Sequence, residues 1–186
     1  MECFGEILDI VRRKTPVVHS ITNYVTVNDC ANMILAAGGS PIMADDAAEV
    51  EQIVALSSAL VINIGTLNAR TVASMLAAGK RANALNIPVV LDPVGAGASD
   101  LRNETLRTLL REVRFAVIKG NSSEIRFLAG EKATARGVDA DQGVLVSEDT
   151  LTAAARMAEG LSAATGAVVI VSGRIDIVAY AQKSWA

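Results

Sequence analysis

The sequence predicts an α/β fold built on a mostly parallel sheet, and three observations carry that expectation. Short aliphatic runs alternate with longer amphipathic stretches along the chain. The aliphatic runs are nearly continuous instead of alternating with polar residues. Small, polar or charged residues follow one run after another. Strands buried on both faces by crossover helices read this way, which implies three layers, helices on both faces of the sheet. Right-handed crossovers follow from that arrangement.

The runs Pro41–Ala44, Leu60–Ile64, Pro88–Leu91, Phe115–Ile118, Ala167–Val171 and Ile175–Val178 read as buried strands. Between them lie helical patterns. Asp29–Ala37 stops at the glycine pair Gly38-Gly39. Asp46–Leu56 opens on Asp45 and Asp46, which suit an N-cap and a first turn. Asn68–Leu85 stops before Asn86-Ile87-Pro88, and Asp100–Val113 follows Ser99, a capping residue. Ser122–Ala129 ends at Gly130, and Glu148–Ala164 ends before Gly166. The charged, glycine-bearing stretch Lys132–Gly143 reads as a loop within one domain.

Composition narrows the function classes. The chain has 186 residues, which fits one domain at roughly 100–200 residues each. It is 51% hydrophobic, 20% charged and only 3% aromatic, which excludes a disordered or fibrous chain. A net charge of −3 leaves no basic field for nucleic acid or anionic lipid. The mean hydropathy of +0.37 raises the question of a membrane span. The longest charge-free run, Gln52 to Ala69, is interrupted by Ser57, Ser58, Asn63, Thr66 and Asn68, which argues against one. The N-terminal residues carry acids where a secretory signal wants basic side chains. The two cysteines, Cys3 and Cys30, form no close pair and suit the reducing cytoplasm.

In an open parallel sheet, ligands bind beyond the carboxyl ends of the strands. The segments found there are Met43-Ala44-Asp45-Asp46, Gly65-Thr66-Leu67-Asn68, Asp92-Pro93-Val94-Gly95-Ala96-Gly97-Ala98, Lys119-Gly120-Asn121-Ser122-Ser123-Glu124 and Ser172-Gly173-Arg174. Asp92 is either a turn former before Pro93 or a carboxylate that holds Mg²⁺, directly or through water, beside phosphates. Lys119 at a strand end can meet a phosphate as a point charge. Glu124 lies in a first helical turn, where a carboxylate also suits the helix dipole. Asp92 and Glu124 on consecutive strands make a carboxylate pair suited to one hydrated Mg²⁺. No Gly-x-x-x-x-Gly-Lys-Ser/Thr occurs, so a P-loop is excluded, and Gly95-Ala96-Gly97 lacks the third glycine of a dinucleotide fingerprint. His19, the only histidine, reads as structural, with no triad partners in evidence.

Several of these segments together resemble one family. Val18-His19-Ser20-Ile21-Thr22-Asn23-Tyr24-Val25, Ala31-Asn32-Met33 and Gly39-Ser40-Pro41-Ile42-Met43-Ala44 come first. Leu91-Asp92-Pro93-Val94-Gly95-Ala96-Gly97 and Lys119-Gly120-Asn121-Ser122-Ser123-Glu124-Ile125 follow in order. The combination is similar to hydroxyethylthiazole kinase, the thiamine-salvage member of the ribokinase-like superfamily. The resemblance implies ATP-dependent phosphorylation of the primary alcohol of 4-methyl-5-(2-hydroxyethyl)thiazole, in a cytoplasmic homotrimer whose sites form between neighbouring subunits. It implies that Asn23, Val25 and Met43 bind the thiazole, Met43 partly through its backbone. Lys119 and Ser172 would contact ATP, and Asp92 and Glu124 would hold Mg²⁺. Lys119 stands where relatives often carry arginine.

The family also carries a Gly-Thr-Gly-Cys motif after its last strand region. Its glycines and helix N-terminus form an anion hole, and its cysteine lies beside the substrate hydroxyl. The sequence reaches Ser184-Trp185-Ala186 without that motif, and neither Cys3 nor Cys30 has a glycine-rich context to replace it. The resemblance therefore implies one ribokinase-like domain over 1–186, incomplete at the C-terminus. It assigns no catalytic residue within the chain and implies slow turnover. Two other readings remain: another vitamin or small-alcohol kinase of the superfamily, and a non-catalytic thiazole- or nucleotide-binding subunit. Ser20-Ile21-Thr22-Asn23-Tyr24-Val25 argues against the first. Binding without turnover would mark the second.

Overall fold

The computed structural model describes residues 2–130 and 150–186. The stretch Lys132–Gly143 and the start expected for a helix at Glu148 lie outside them. The chain divides into two compact units, Met1–Val89 and Val90–Ala186.

The first unit begins with α1 (Glu2–Lys14), β1 (Val17–Ile21), α2 (Val27–Ala37) and β2 (Ser40–Ile42). It continues with α3 (Val50–Ala55), β3 (Ala59–Asn63) and α4 (Ala69–Ala84). Its strands are parallel in the order β2-β1-β3. The chain moves from β1 to one side for β2 and back past β1 for β3. Right-handed crossovers therefore put α2 and α3 on opposite faces, and the order reverses between β1 and β3. Such a switch point opens a crevice at the carboxyl ends of the two strands.

Local chemistry sets the element ends. Gly38 turns left-handed at φ 98°, and Gly39 N–H returns to Ile34 O at 2.9 Å, closing α2. Asn68 caps α4 by accepting from Thr71 N–H at 3.0 Å, and Asn68 N–H donates to Thr71 Oγ1 at 3.1 Å. The core of this unit holds Ile21, Leu60, Ile62, Ile64 and Met75, all essentially inaccessible to solvent. Each such aliphatic side chain contributes about 1.5–3 kcal/mol on burial.

The second unit continues with β4 (Val89–Asp92), α5 (Asp100–Glu112), β5 (Val117–Asn121), α6 (Ser122–Leu128) and α7 (Leu151–Thr165). It ends with β6 (Val168–Ser172), β7 (Ile177–Tyr180) and β8 (Lys183–Trp185). Here β4, β5 and β6 are parallel, and β7 and β8 add antiparallel at the edge. The parallel strands advance in one direction only, so right-handed crossovers collect their helices on one face. Burial follows that rule. Leu91, Ile118, Val169, Val171, Ile177 and Ala179 are buried on the helical face. On the other face Asp92, Lys119, Ile170, Ser172, Val178 and Tyr180 are half-buried or exposed among the described residues. No helix among the described residues is long and apolar enough to cross a membrane.

Candidate active site

In the first unit, Asn23 sits just past β1 and Asn63 ends β3, so the two face each other at the switch point. Asn23 Nδ2 donates to Asn63 Oδ1 at 3.2 Å, and the same oxygen accepts Gly65 N–H at 2.9 Å. Asn23 Oδ1 accepts from Thr26 N–H at 3.0 Å, fixing the turn that leads into α2. Sequence reasoning takes Asn23 as a site residue or a turn former; the bond from Thr26 shows the turn role. Val25, on the same turn, is 84% exposed, and Met43 is half-buried immediately after β2. Both lie on the strand-end segments that the sequence points to.

A group that the sequence does not reveal links the segments that carry them. Arg70 grips Asp45 with Nη1 on Oδ1 at 2.9 Å and Nη2 on Oδ2 at 3.1 Å. The Tyr24 hydroxyl donates to Asp45 Oδ2 at 3.2 Å and accepts from Arg70 Nη2 at 3.3 Å. The Arg70 guanidinium draws the Asp45 carboxyl below its ordinary value. Below this cluster His19 is fully buried, with Nε2 2.7 Å from the Ala44 carbonyl oxygen. That oxygen can only accept, so Nε2 carries the proton. Burial pushes the His19 pKa down, and the ring is neutral.

In the second unit, β4 extends to Asp92 and β5 to Asn121, farther than the aliphatic runs imply. Lys119 therefore lies within a strand and not after it. Leu91 pairs with Ile118, and continuing that parallel register brings Asp92 level with Lys119. Lys119 in turn pairs with Ile170, and Asn121 with Ser172. Alternation along a strand then places Asp92, Lys119, Asn121 and Ser172 on the open face, near its carboxyl edge. Ser172 Oγ donates to Gly120 O at 3.2 Å. Three sequence-selected residues, Asp92, Lys119 and Ser172, share one surface.

At the start of α6, Glu124 is held by backbone donors. It is 6% exposed; Oε1 accepts Gly95 N–H at 3.0 Å and Oε2 accepts Asn121 N–H at 2.8 Å. Asn121 completes a capping box by accepting Glu124 N–H at 3.0 Å. Glu124 thus ties the loop after β4 to the start of α6. The Asn121-x-x-Glu124 spacing is a readable signal for this arrangement.

The glycine loop is equally well occupied. Ala96 N–H goes to Pro93 O and Ala98 N–H to Gly95 O, both at 3.0 Å, while Gly97 N–H goes to Asn103 Oδ1 at 2.9 Å. Arg102 Nη1 holds Val94 O at 2.8 Å. Gly95 and Gly97 have φ of 71° and 88°, a conformation that favours glycine. Every backbone N–H from Gly95 to Ala98 is consumed inside the loop or by α5 and α6. The segment is a braced wall and not a cradle of free amides for phosphate.

Among the described residues no group of three or more His, Cys, Asp or Glu side chains could enclose a metal. The chemistry of the donors still fits Mg²⁺, which commonly binds one or two carboxylates and keeps its remaining positions for water and phosphate. Both Glu124 oxygens already hold backbone N–H groups, so Glu124 suits a contact through water.

A strand-order reversal lined by amides in one unit, and a carboxylate, an ammonium and a hydroxyl at a carboxyl strand edge in the other, define an open-sheet α/β protein, a class in which ligands bind beyond the carboxyl ends of the strands. Comparison with known proteins specifies it further. The model of the hydroxyethylthiazole kinase family matches residues 8–186. The chain is 73% identical over 186 residues to a hydroxyethylthiazole kinase of Desulfovibrio desulfuricans, covering all of this chain and 65% of that protein. It is 55% identical over 180 residues to one of Clostridium acetobutylicum, covering 97% of this chain and 66% of that protein. A solved hydroxyethylthiazole kinase structure from Pyrococcus horikoshii OT3 superposes with a TM-score of 0.85 at 36% identity, over 99% of this chain and 66% of that one. The chain belongs to the hydroxyethylthiazole kinase family, and it spans about two thirds of the length of these relatives.

Proposed function

We propose that this chain serves ATP-dependent phosphorylation of the hydroxyl of 4-methyl-5-(2-hydroxyethyl)thiazole in thiamine biosynthesis or salvage. The match of the family over residues 8–186 carries the reading. Asn23, Val25 and Met43 form the thiazole side. Asn23 is held rigid by Asn63 and Thr26, which supports a role in orienting a polar ring atom. The exposed Val25 offers apolar contact. Lys119 and Ser172 meet the nucleotide, Lys119 as a point charge toward phosphate and Ser172 through its hydroxyl. Asp92 and, through water, Glu124 hold Mg²⁺. The ion neutralises phosphate charge when bound. Asp92 and Lys119 together set the position of the phosphate chain, and positioning is most of what phosphoryl transfer asks of a protein.

The test is replacement of Asp92 by Asn. It should weaken Mg²⁺-dependent ATP binding by about 10–100-fold while leaving thiazole affinity within about twofold. Calorimetric titration at matched Mg²⁺ reads both. Equal ATP affinity in the two proteins would remove Asp92 from the site, and thiazole binding without any turnover would assign a binding role alone.

We also propose a cytoplasmic homotrimer with sites between subunits. Support comes from the first unit, where α2 buries no residue of its own and Phe4, Ile7, Val25, Met33 and Leu35 are exposed. So much apolar surface on neighbouring elements suits a protein partner. Light scattering at micromolar concentration should return three times the chain mass; a monomer would overturn the assembly.

A further inference from the structure

We infer that His19 and Arg70 are positioning residues for the thiazole pocket, acting through the segment Met43–Asp45; the inference rests on the thiazole reading above. β2 ends at Ile42, and its pairing with β1 stops at His19↔Ile42. Met43, Ala44 and Asp45 therefore have no strand pairing to fix them. Two side chains from other elements take over. From the buried side, His19 Nε2–H donates to the Ala44 carbonyl at 2.7 Å. From the rim, Arg70 Nη1 donates to the next carbonyl, Asp45 O, at 3.3 Å, while its fork holds the Asp45 carboxylate. Successive peptide groups are thus anchored by two side chains, directly after Met43, whose backbone the family resemblance sets against the substrate.

The unused nitrogen makes the His19 case specific. Nδ1 is buried with no hydrogen-bond partner among the described residues. A leucine would fill similar space without an orphaned polar atom, so packing alone does not require an imidazole here. What the ring supplies and a hydrocarbon cannot is the Nε2–H to Ala44. Glutamine keeps a donor at comparable reach and so separates the bond from the volume. Arg70 works on the same segment through a bidentate fork that lysine lacks.

The experiment compares His19→Leu, His19→Gln and Arg70→Met in two measurements on the full chain: amide hydrogen exchange over residues 43–46, and calorimetric binding of 4-methyl-5-(2-hydroxyethyl)thiazole. His19→Leu should speed exchange at 43–46 and weaken thiazole binding, each by about tenfold, leaving β3 protection unchanged. His19→Gln should restore both to within about threefold of wild type, because its side-chain amide still donates to Ala44. Arg70→Met should show the same pattern from the rim, and it carries the test if His19→Leu does not fold. Unchanged exchange at 43–46 in His19→Leu, or failure of His19→Gln to rescue while the protein stays folded, overturns the inference. If wild type itself binds no thiazole, the functional reading fails, and exchange alone decides whether the two side chains hold the segment.

Discussion

Replacing Glu124 by alanine is expected to cost about 3 kcal/mol of unfolding free energy, since it strands two backbone donors, one buried and one half-buried, at about 1–3 kcal/mol each. The donors are Gly95 N–H and Asn121 N–H, held at 3.0 and 2.8 Å by a carboxylate that is 6% exposed. Magnesium-dependent ATP binding should fall with it, because the loop that follows Asp92 loses its tie to α6. Glutamine at the same position distinguishes shape from charge. Its carbonyl still accepts one N–H, but its NH₂ then confronts the other, so the loss should be smaller than for alanine without vanishing. Gly120 is part of the same fit, since a Cβ there would stand 3.0 Å from Glu124 Oε2. Urea denaturation of the three proteins provides the check. A loss below about 1 kcal/mol for Glu124→Ala would mean that the carboxylate is not the tie described.

What could be read from the sequence follows from how local its cause is. Leu60–Ile64, Pro88–Leu91 and Ala167–Val171 match β3, β4 and β6 within two residues because a fully buried strand needs an unbroken apolar run. β1 goes unmarked in that reading, since His19 and Ser20 interrupt its apolar run and nothing local says that both are buried. β2 is only three residues long, and half-buried throughout, so Pro41–Ala44 overshoots it. The site divides along the same line. Asp92, Lys119 and Ser172 are legible as strand-end residues, and register alone brings them onto one face. Asn121 and Glu124 form a capping box at fixed spacing, so their mutual contact is a local fact. The Tyr24–Asp45–Arg70 cluster spans 46 positions from Tyr24 to Arg70 and exists only because three strand ends converge. The consumption of the Gly95 and Gly97 N–H groups likewise depends on Glu124 and Asn103, which no glycine pattern can announce.

The same convergence leaves no room for a side chain at Gly65. Its backbone is not in the left-handed region, so space decides the effect of a side chain. A Cβ there would stand 2.8 Å from Asn23 Cβ and 3.0 Å from Asn63 Oδ1. Neither is the far end of a flexible chain: Asn23 is fixed by Thr26 and Asn63, and Asn63 Oδ1 already accepts from Gly65 N–H. Gly65→Ala must therefore push the ends of β1 and β3 apart, an overpacking that costs about 1–3 kcal/mol. Because the displaced residue is Asn23, thiazole affinity should drop by about tenfold or more as well, a near-ångström misplacement in a site being costly. Gly160 is the internal control. It is exposed within α7, and among the described residues nothing lies within 4 Å of a Cβ built there. Gly160→Ala should stabilise the chain by about 0.5–1 kcal/mol through helix propensity and leave binding untouched. Thermal unfolding and calorimetric thiazole titration of both variants read the contrast. If Gly65→Ala behaves like Gly160→Ala, the Asn23–Asn63–Gly65 contact is not what shapes the pocket.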